Sequence, residues 1–147
     1  MPSEKGSGGD CHHKAVSTNR AYDAVLLDDL GVLSATVDGS LLPCVARLRE
    51  HGLLTAVLSN ADGPPRSGLE GLGPVLLSGR TGLRKPDPAA YVHAAAVLGV
   101  PPGRCVVVDD LAHNVRGAVA AGMTGVHHVG LERTLVELEA LLGVRLR

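Results

Sequence analysis

Aromatic side chains are nearly missing from this 147-residue chain, which has two tyrosines and neither phenylalanine nor tryptophan. A platform that stacks nucleic-acid bases needs aromatic faces, so that class is excluded. Excess charge of either sign is lacking as well. Lys plus Arg is 14 and Asp plus Glu is 15, a net charge of −1, without the basic footprint of a DNA binder. No uninterrupted apolar run exceeds five residues, far short of the roughly 20 that span a bilayer. The three cysteines, at 11, 44 and 105, include no C-x-x-C pair. That set makes neither a disulfide framework nor a zinc site. The first twenty residues contain no apolar stretch of the secretory kind. A reduced, cytoplasmic setting is the expectation.

What is present is an ordinary globular balance, 45% apolar and 20% charged. A chain of this length buries about 70% of its unfolded surface, enough for one real core built from Leu, Val and Ala. Residues 1–20, rich in Gly, Ser and charge, read as a flexible polar tail, and residues 21–147 as a single domain. Within the tail, Cys11, His12 and His13 are possible metal ligands, but no further ligand stands at the spacing zinc requires.

From Tyr22 the texture changes. Ala24–Leu27 is a short apolar run ending in Asp28-Asp29, the pattern of a buried parallel strand that opens at its polar end. Leu41, Val45 and Leu48 recur at helical spacing before Gly52. A second strand covers Leu54–Leu58 and ends at Ser59-Asn60. Residues 61–74, with their Gly and Pro, form a loop with room for one helical turn. Val75–Leu77 is a third strand. Asp87-Pro88 opens a helix that Gly99 closes. Cys105–Val108 is a fourth strand, ending in Asp109-Asp110, and a helix from about Ala112 to Ala121 follows. Thr124–Val129 makes a fifth strand and Leu131–Leu142 a last helix. Alternating strands and helices predict βαβ units. The fold class is therefore α/β, a Rossmann-like, doubly wound open parallel sheet of about five strands with helices on both faces.

Every notable polar cluster falls at the C-terminal end of a strand, where such sheets bind ligands. Any one aspartate there is equally well read as a loop or helix cap. Asp28, Asp109 and Asp110 together, with Ser59 and Lys85, are not explained that way. Carboxylates converging in a cleft repel unless protonated or neutralised by a cation. A small set of hard oxygen ligands suits Mg²⁺.

Four segments in order resemble the haloacid dehalogenase superfamily of hydrolases, most of which are phosphatases. They are VLLDDLGVL at 25–33, AVLSNAD at 56–62, GLRKPDPAAY at 82–91 and CVVVDDLAHNVRGAVAAGMTGVHH at 105–128. The resemblance implies Asp28 as the nucleophile that forms an aspartyl-phosphate. It implies Mg²⁺ held by Asp28, the backbone carbonyl of Leu30, Asp109 and Asp110. Ser59, Asn60 and Lys85 would bind the phosphoryl group, with Ser59 and Lys85 also acting in catalysis.

The chain departs from the family pattern at two places. Leu30 stands where family phosphatases carry a second aspartate, the general acid/base. Asp29 is adjacent, but strand alternation points it to the other side. Residues 34–53 and 61–81 also leave no room for the cap domain that many members insert. With these departures, the resemblance implies a capless, Mg²⁺-dependent hydrolase of phosphorylated small molecules or larger phosphorylated substrates. Loss of the acid/base would slow it. No nucleic-acid or membrane partner is expected, and an oligomer stays open. The alternatives are a catalytically vestigial binding or regulatory module and, less favoured because no cap encloses the halide, a haloacid dehalogenase. No P-loop, dinucleotide fingerprint or G-x-S-x-G is present. Cys44 and Cys105 read as small buried hydrophobes, and His127-His128 as a strand-end pair.

Overall fold

Ala24–Leu27 (β1) is fully buried on both faces, which is why its four residues are apolar without alternation. The computed structural model that shows this describes residues 20–34 and 39–147; Cys11, His12 and His13 lie outside them. β1 is followed by an irregular turn at Asp29–Leu33, then by Leu42–Glu50 (α1) and Leu54–Ser59 (β2). Next come Val75–Leu77 (β3), the short helix Ser78–Thr81 (α2) and Pro88–Leu98 (α3). Cys105–Asp109 (β4), Ala112–Ala120 (α4), Thr124–His127 (β5) and Leu131–Leu142 (α5) complete the order.

The five strands are all parallel, in the order β3-β2-β1-β4-β5. Alternate residues of β1 serve two separate cores. Val25 and Leu27 pack with Val45 and Leu48 of α1 and Leu135 and Leu138 of α5. Ala24 and Leu26 pack with Tyr91, Ala94 and Ala95 of α3 and Ala118 of α4. This period of two places α1 and α5 on one face of the sheet and α3 and α4 on the other. The expected doubly wound sheet is present, and no separate cap stands among the described residues.

Local signals account for several boundaries. Asp87 Oδ1 accepts from the Ala89 N–H at 2.9 Å and Pro88 follows, so α3 starts there; Gly99, at φ 72°, ends it. Two expectations are corrected. The helical turn placed within 61–74 does not form, because Gly68, Gly71 and Gly73 all take positive φ; the turn of helix lies at α2 instead. The fifth strand ends at His127 rather than Val129, because its partner β4 ends at Asp109. Among the described residues, no helix is long and apolar enough to cross a membrane.

Candidate active site

From β1 the chain steps outward through β2 to β3, then returns to the other side of β1 as β4. The reversal opens a crevice between the carboxyl ends of β1 and β4, the place where open α/β sheets bind ligands. Leu27 pairs with Val108 in register, so the next residues of each strand, Asp28 and Asp109, emerge side by side. The Asp28 N–H donates to the Val108 carbonyl at 3.1 Å and fixes that exit. Asp110 completes a group whose carboxylate oxygens lie within 4.8 Å of one another.

Lys85 comes from the loop before α3 and is buried. Its Nζ donates to Asp28 Oδ1 at 2.7 Å and to Asp109 Oδ2 at 2.9 Å. One ammonium thus bridges two of the three carboxylates. Asn60 positions it: the Asn60 Nδ2 donates to the Lys85 carbonyl at 2.9 Å, and the Lys85 N–H donates to Asn60 Oδ1 at 2.9 Å. Both ends of the amide are spent on the lysine backbone. Ser59, at the end of β2, lines the same cleft with Asn60, Lys85 and Asp28. Asp28, Leu30, Ser59, Asn60, Lys85 and Asp110 therefore line one crevice, and Asp109 meets it through Lys85.

The electrostatics follow from burial. Desolvation pushes the Asp28 carboxyl up to about 7; the Lys85 ammonium opposes that rise and the nearby Asp109 carboxylate adds to it. Asp109 is fully buried, and its other oxygen accepts from the Leu111 N–H at 3.0 Å. Asn114 Nδ2 also donates to Asp109, at 3.2 Å. The donors offered by this cluster are all oxygens, which fits a hard divalent cation such as Mg²⁺. The Oδ1 of Asn114 is buried and accepts no hydrogen bond among the described residues, which suits a proton-bearing neighbour such as an ion's water.

Some contributors carry no chemical signature in the sequence. Gly31 has φ 90°, and a Cβ there would stand 2.3 Å from the Asp110 Cγ. Only glycine both adopts the turn and admits the carboxylate. In α4, Gly117 lets the helix approach the Pro86 carbonyl, to within 2.2 Å of where a Cβ would be. Tyr91 donates its hydroxyl to the Asn114 carbonyl at 2.7 Å. His127 contacts the Asp110 carbonyl through Nε2 at 3.0 Å, and His128 Nδ1 pairs with the Thr134 hydroxyl at 2.7 Å. Cys105 is buried in the α3 and α4 core, where desolvation pushes its thiol up to about 11; Cys44 is half-buried. Leu30 is 68% exposed at the cleft.

A family profile described as haloacid dehalogenase-like hydrolase matches residues 10–122. The chain belongs to that family. A crystal structure of an uncharacterised protein from Corynebacterium glutamicum aligns with this haloacid dehalogenase-like hydrolase at a TM-score of 0.77 and 37% identity. The alignment covers 83% of this chain and 96% of that one. A phosphatase of Mycobacterium tuberculosis is 36% identical over 115 residues, 68% of this chain and 53% of that protein. The chain therefore spans about half the length of that curated relative. A family enzyme from Bacteroides thetaiotaomicron, crystallised with magnesium and inorganic phosphate, shares the fold. Its TM-score is 0.52 at 22% identity, over 58% of this chain and 50% of that one.

Proposed function

We propose that the protein is a Mg²⁺-dependent phosphatase that forms an aspartyl-phosphate on Asp28. The observation that carries this is the Lys85 ammonium held between Asp28 and Asp109, with Asp110 beside them, at the crevice between β1 and β4. Phosphoryl transfer demands little covalent chemistry from a protein. It demands positioning and concentrated positive charge. Asp28, Asp109, Asp110 and the carbonyl of Leu30 would hold Mg²⁺, which when bound supplies the charge that neutralises the phosphoryl oxygens.

An Asp28 oxygen attacks phosphorus while the bond to the leaving group breaks. Lys85 favours the ionised form of that carboxylate against the effect of burial and attracts the phosphoryl group. The Ser59 hydroxyl donates to a phosphoryl oxygen, and Asn60 contributes by holding Lys85. Water then attacks the same phosphorus and releases Asp28 with inorganic phosphate. Residues 21–147 act as one catalytic unit.

A second reading, a non-catalytic binding module, is favoured by Leu30, which puts a methyl-ended side chain where a proton donor would serve. A panel of phosphate esters and acyl phosphates, assayed with Mg²⁺ and with EDTA, separates the two. The phosphatase turns over the activated members only with Mg²⁺, and Asp28→Asn abolishes that turnover while the circular dichroism stays unchanged. Turnover that survives Asp28→Asn would sink the covalent mechanism. Mg²⁺ binding with no turnover of any member would favour the binding module.

A further inference from the structure

Two leucines stand exposed in the cleft that holds Asp28. Leu30, on the turn after β1, is 68% exposed, and Leu111, on the turn after β4, is 47% exposed. Both line a cleft of about 280 Å³ whose charged residues are Asp28, Lys85 and Asp110. One exposed leucine on a protein surface carries no information. Two of them around a charged floor divide the cleft by chemistry. Once a divalent cation offsets the carboxylates, the floor would suit a phosphoryl dianion, and the leucines gain only from an apolar group placed over them.

The second observation concerns protons. The titratable groups lining the cleft are already committed: Asp28 and Asp110 belong to the carboxylate cluster, and Lys85 is engaged by Asp28 and Asp109. Among the described lining residues, none is left over to protonate a departing oxygen. A leaving group that is stable as an anion departs from such a site, and a basic alkoxide does not.

We propose that the cleft takes aryl phosphates, monoesters whose leaving group is an apolar phenol seated against Leu30 and Leu111. This rests on the phosphatase reading and narrows it. An Asp28 oxygen bonds to phosphorus as the bond from phosphorus to the aryl oxygen breaks. The electron pair leaves on the aryloxide, which takes its proton from water. A second water attacks the phosphorus of the Asp28 acyl phosphate, and that bond breaks with its electrons returning to the carboxylate. In sum, ester plus one water gives phenol plus inorganic phosphate. A sugar phosphate meets neither condition, since its body is polar and its alkoxide basic. An acetyl phosphate meets only the second.

The test compares acetyl, phenyl and 1-naphthyl phosphate with glucose 6-phosphate, all with Mg²⁺. Phenol and 1-naphthol are of similar acidity, so the difference between their esters reports apolar contact. The naphthyl ester should exceed the phenyl ester in kcat/KM by about three- to tenfold, through KM. Glucose 6-phosphate should fall at least about 100-fold below both. Leu30→Ser and Leu111→Ser should each shrink the naphthyl-to-phenyl ratio toward one. A wild-type ratio of one, or a ratio that survives both substitutions, overturns the proposal. An arm on the unmodified protein uses inhibition of acetyl phosphate turnover. There 1-naphthylmethylphosphonate should bind at least about tenfold more tightly than methylphosphonate, and equal inhibition overturns the proposal. Acetyl phosphate turnover without any naphthyl preference removes this inference alone. No turnover of any substrate removes the phosphatase reading with it.

Discussion

Arg66 grips the carboxylate of Asp29 with two guanidinium nitrogens, Nε at 2.8 and 3.0 Å from its two oxygens and Nη2 at 2.7 Å from Oδ1. Asp29 is buried and lies one residue beyond Asp28; Arg66 is part of the Gly- and Pro-rich loop between β2 and β3. Asp28 and Asp29 thus serve different partners, one Lys85 and the other the neighbouring loop. A forked pair with one partner buried is stronger than a surface ion pair. Arg66→Ala should destabilise the protein by about 1–3 kcal/mol, since it strands a buried carboxylate. In a double-mutant cycle with Asp29→Asn, urea denaturation should show coupling of about 1–2 kcal/mol. Additive effects would mean that the pair contributes nothing.

Gly31 gives a way to move one carboxylate of the proposed cation site without deleting it. Its Cβ would collide with Asp110, whose carboxylate is the softer of the two partners and must give way. Positive φ adds a smaller penalty of about 1 kcal/mol. Millimolar Mg²⁺ should raise the wild-type melting temperature, because the ion binds only the folded state. Gly31→Ala should lose most of that rise, as should Asp109→Asn. A rise in Gly31→Ala equal to wild type would show that Asp110 is not a ligand.

Leu30→Asp places a carboxyl group at the cleft in a largely solvated position, so the fold should tolerate it. A general acid assists departure of a basic leaving group by at most about 10²–10⁴. Turnover of sugar phosphates should rise by part of that range, while aryl phosphates should change little. Were the variant to fold, bind Mg²⁺ and hydrolyse nothing, more than one residue would separate the site from catalysis.

Asp23 and Arg104 join the starts of β1 and β4. Arg104 Nε and Nη2 reach the two Asp23 carboxylate oxygens, and the Asp23 N–H donates to the Arg104 carbonyl at 2.8 Å. The hydrogen bond from Arg104 holds the Asp23 carboxyl below its ordinary value of 3.8. A lowered carboxyl contributes stability that is full above the unfolded value and is lost as pH falls through the folded one. Asp23→Asn should therefore cost about 0.2–1 kcal/mol at pH 7. That gap should close as pH falls below about 4. A gap that widens with acid would contradict the pairing.

Strands were the most legible feature of the sequence, because a parallel strand buried on both faces is written in apolar residues alone. Ala24–Leu27 and Val75–Leu77 have the bounds expected of them. The convergence of Asp28, Ser59 and Asp109 was also readable, since each follows or ends such a strand, and Lys85 stands just ahead of a helix. Contacts between side chains far apart in sequence were not. Nothing in the sequence couples Arg66 to Asp29 across 37 residues. The family resemblance implied Asn60 as a phosphate ligand, and its side-chain amide is given to the Lys85 backbone. Gly31 was seen as part of a motif, and only the position of Asp110 explains why it must be glycine. Loop 61–74 was overread as partly helical because its composition does not reveal which glycines turn left-handed.

The placing of β1 at the centre of the sheet also has a consequence for biosynthesis. Ala24 pairs with Leu54 on one side and with Cys105 on the other. A ribosome adding about 5–20 residues per second leaves β1 without its second neighbour for roughly 4–16 s. During that interval the nascent chain holds Asp28 but not yet Asp109 or Asp110. The first carboxylate of the cluster is therefore made early and completed late.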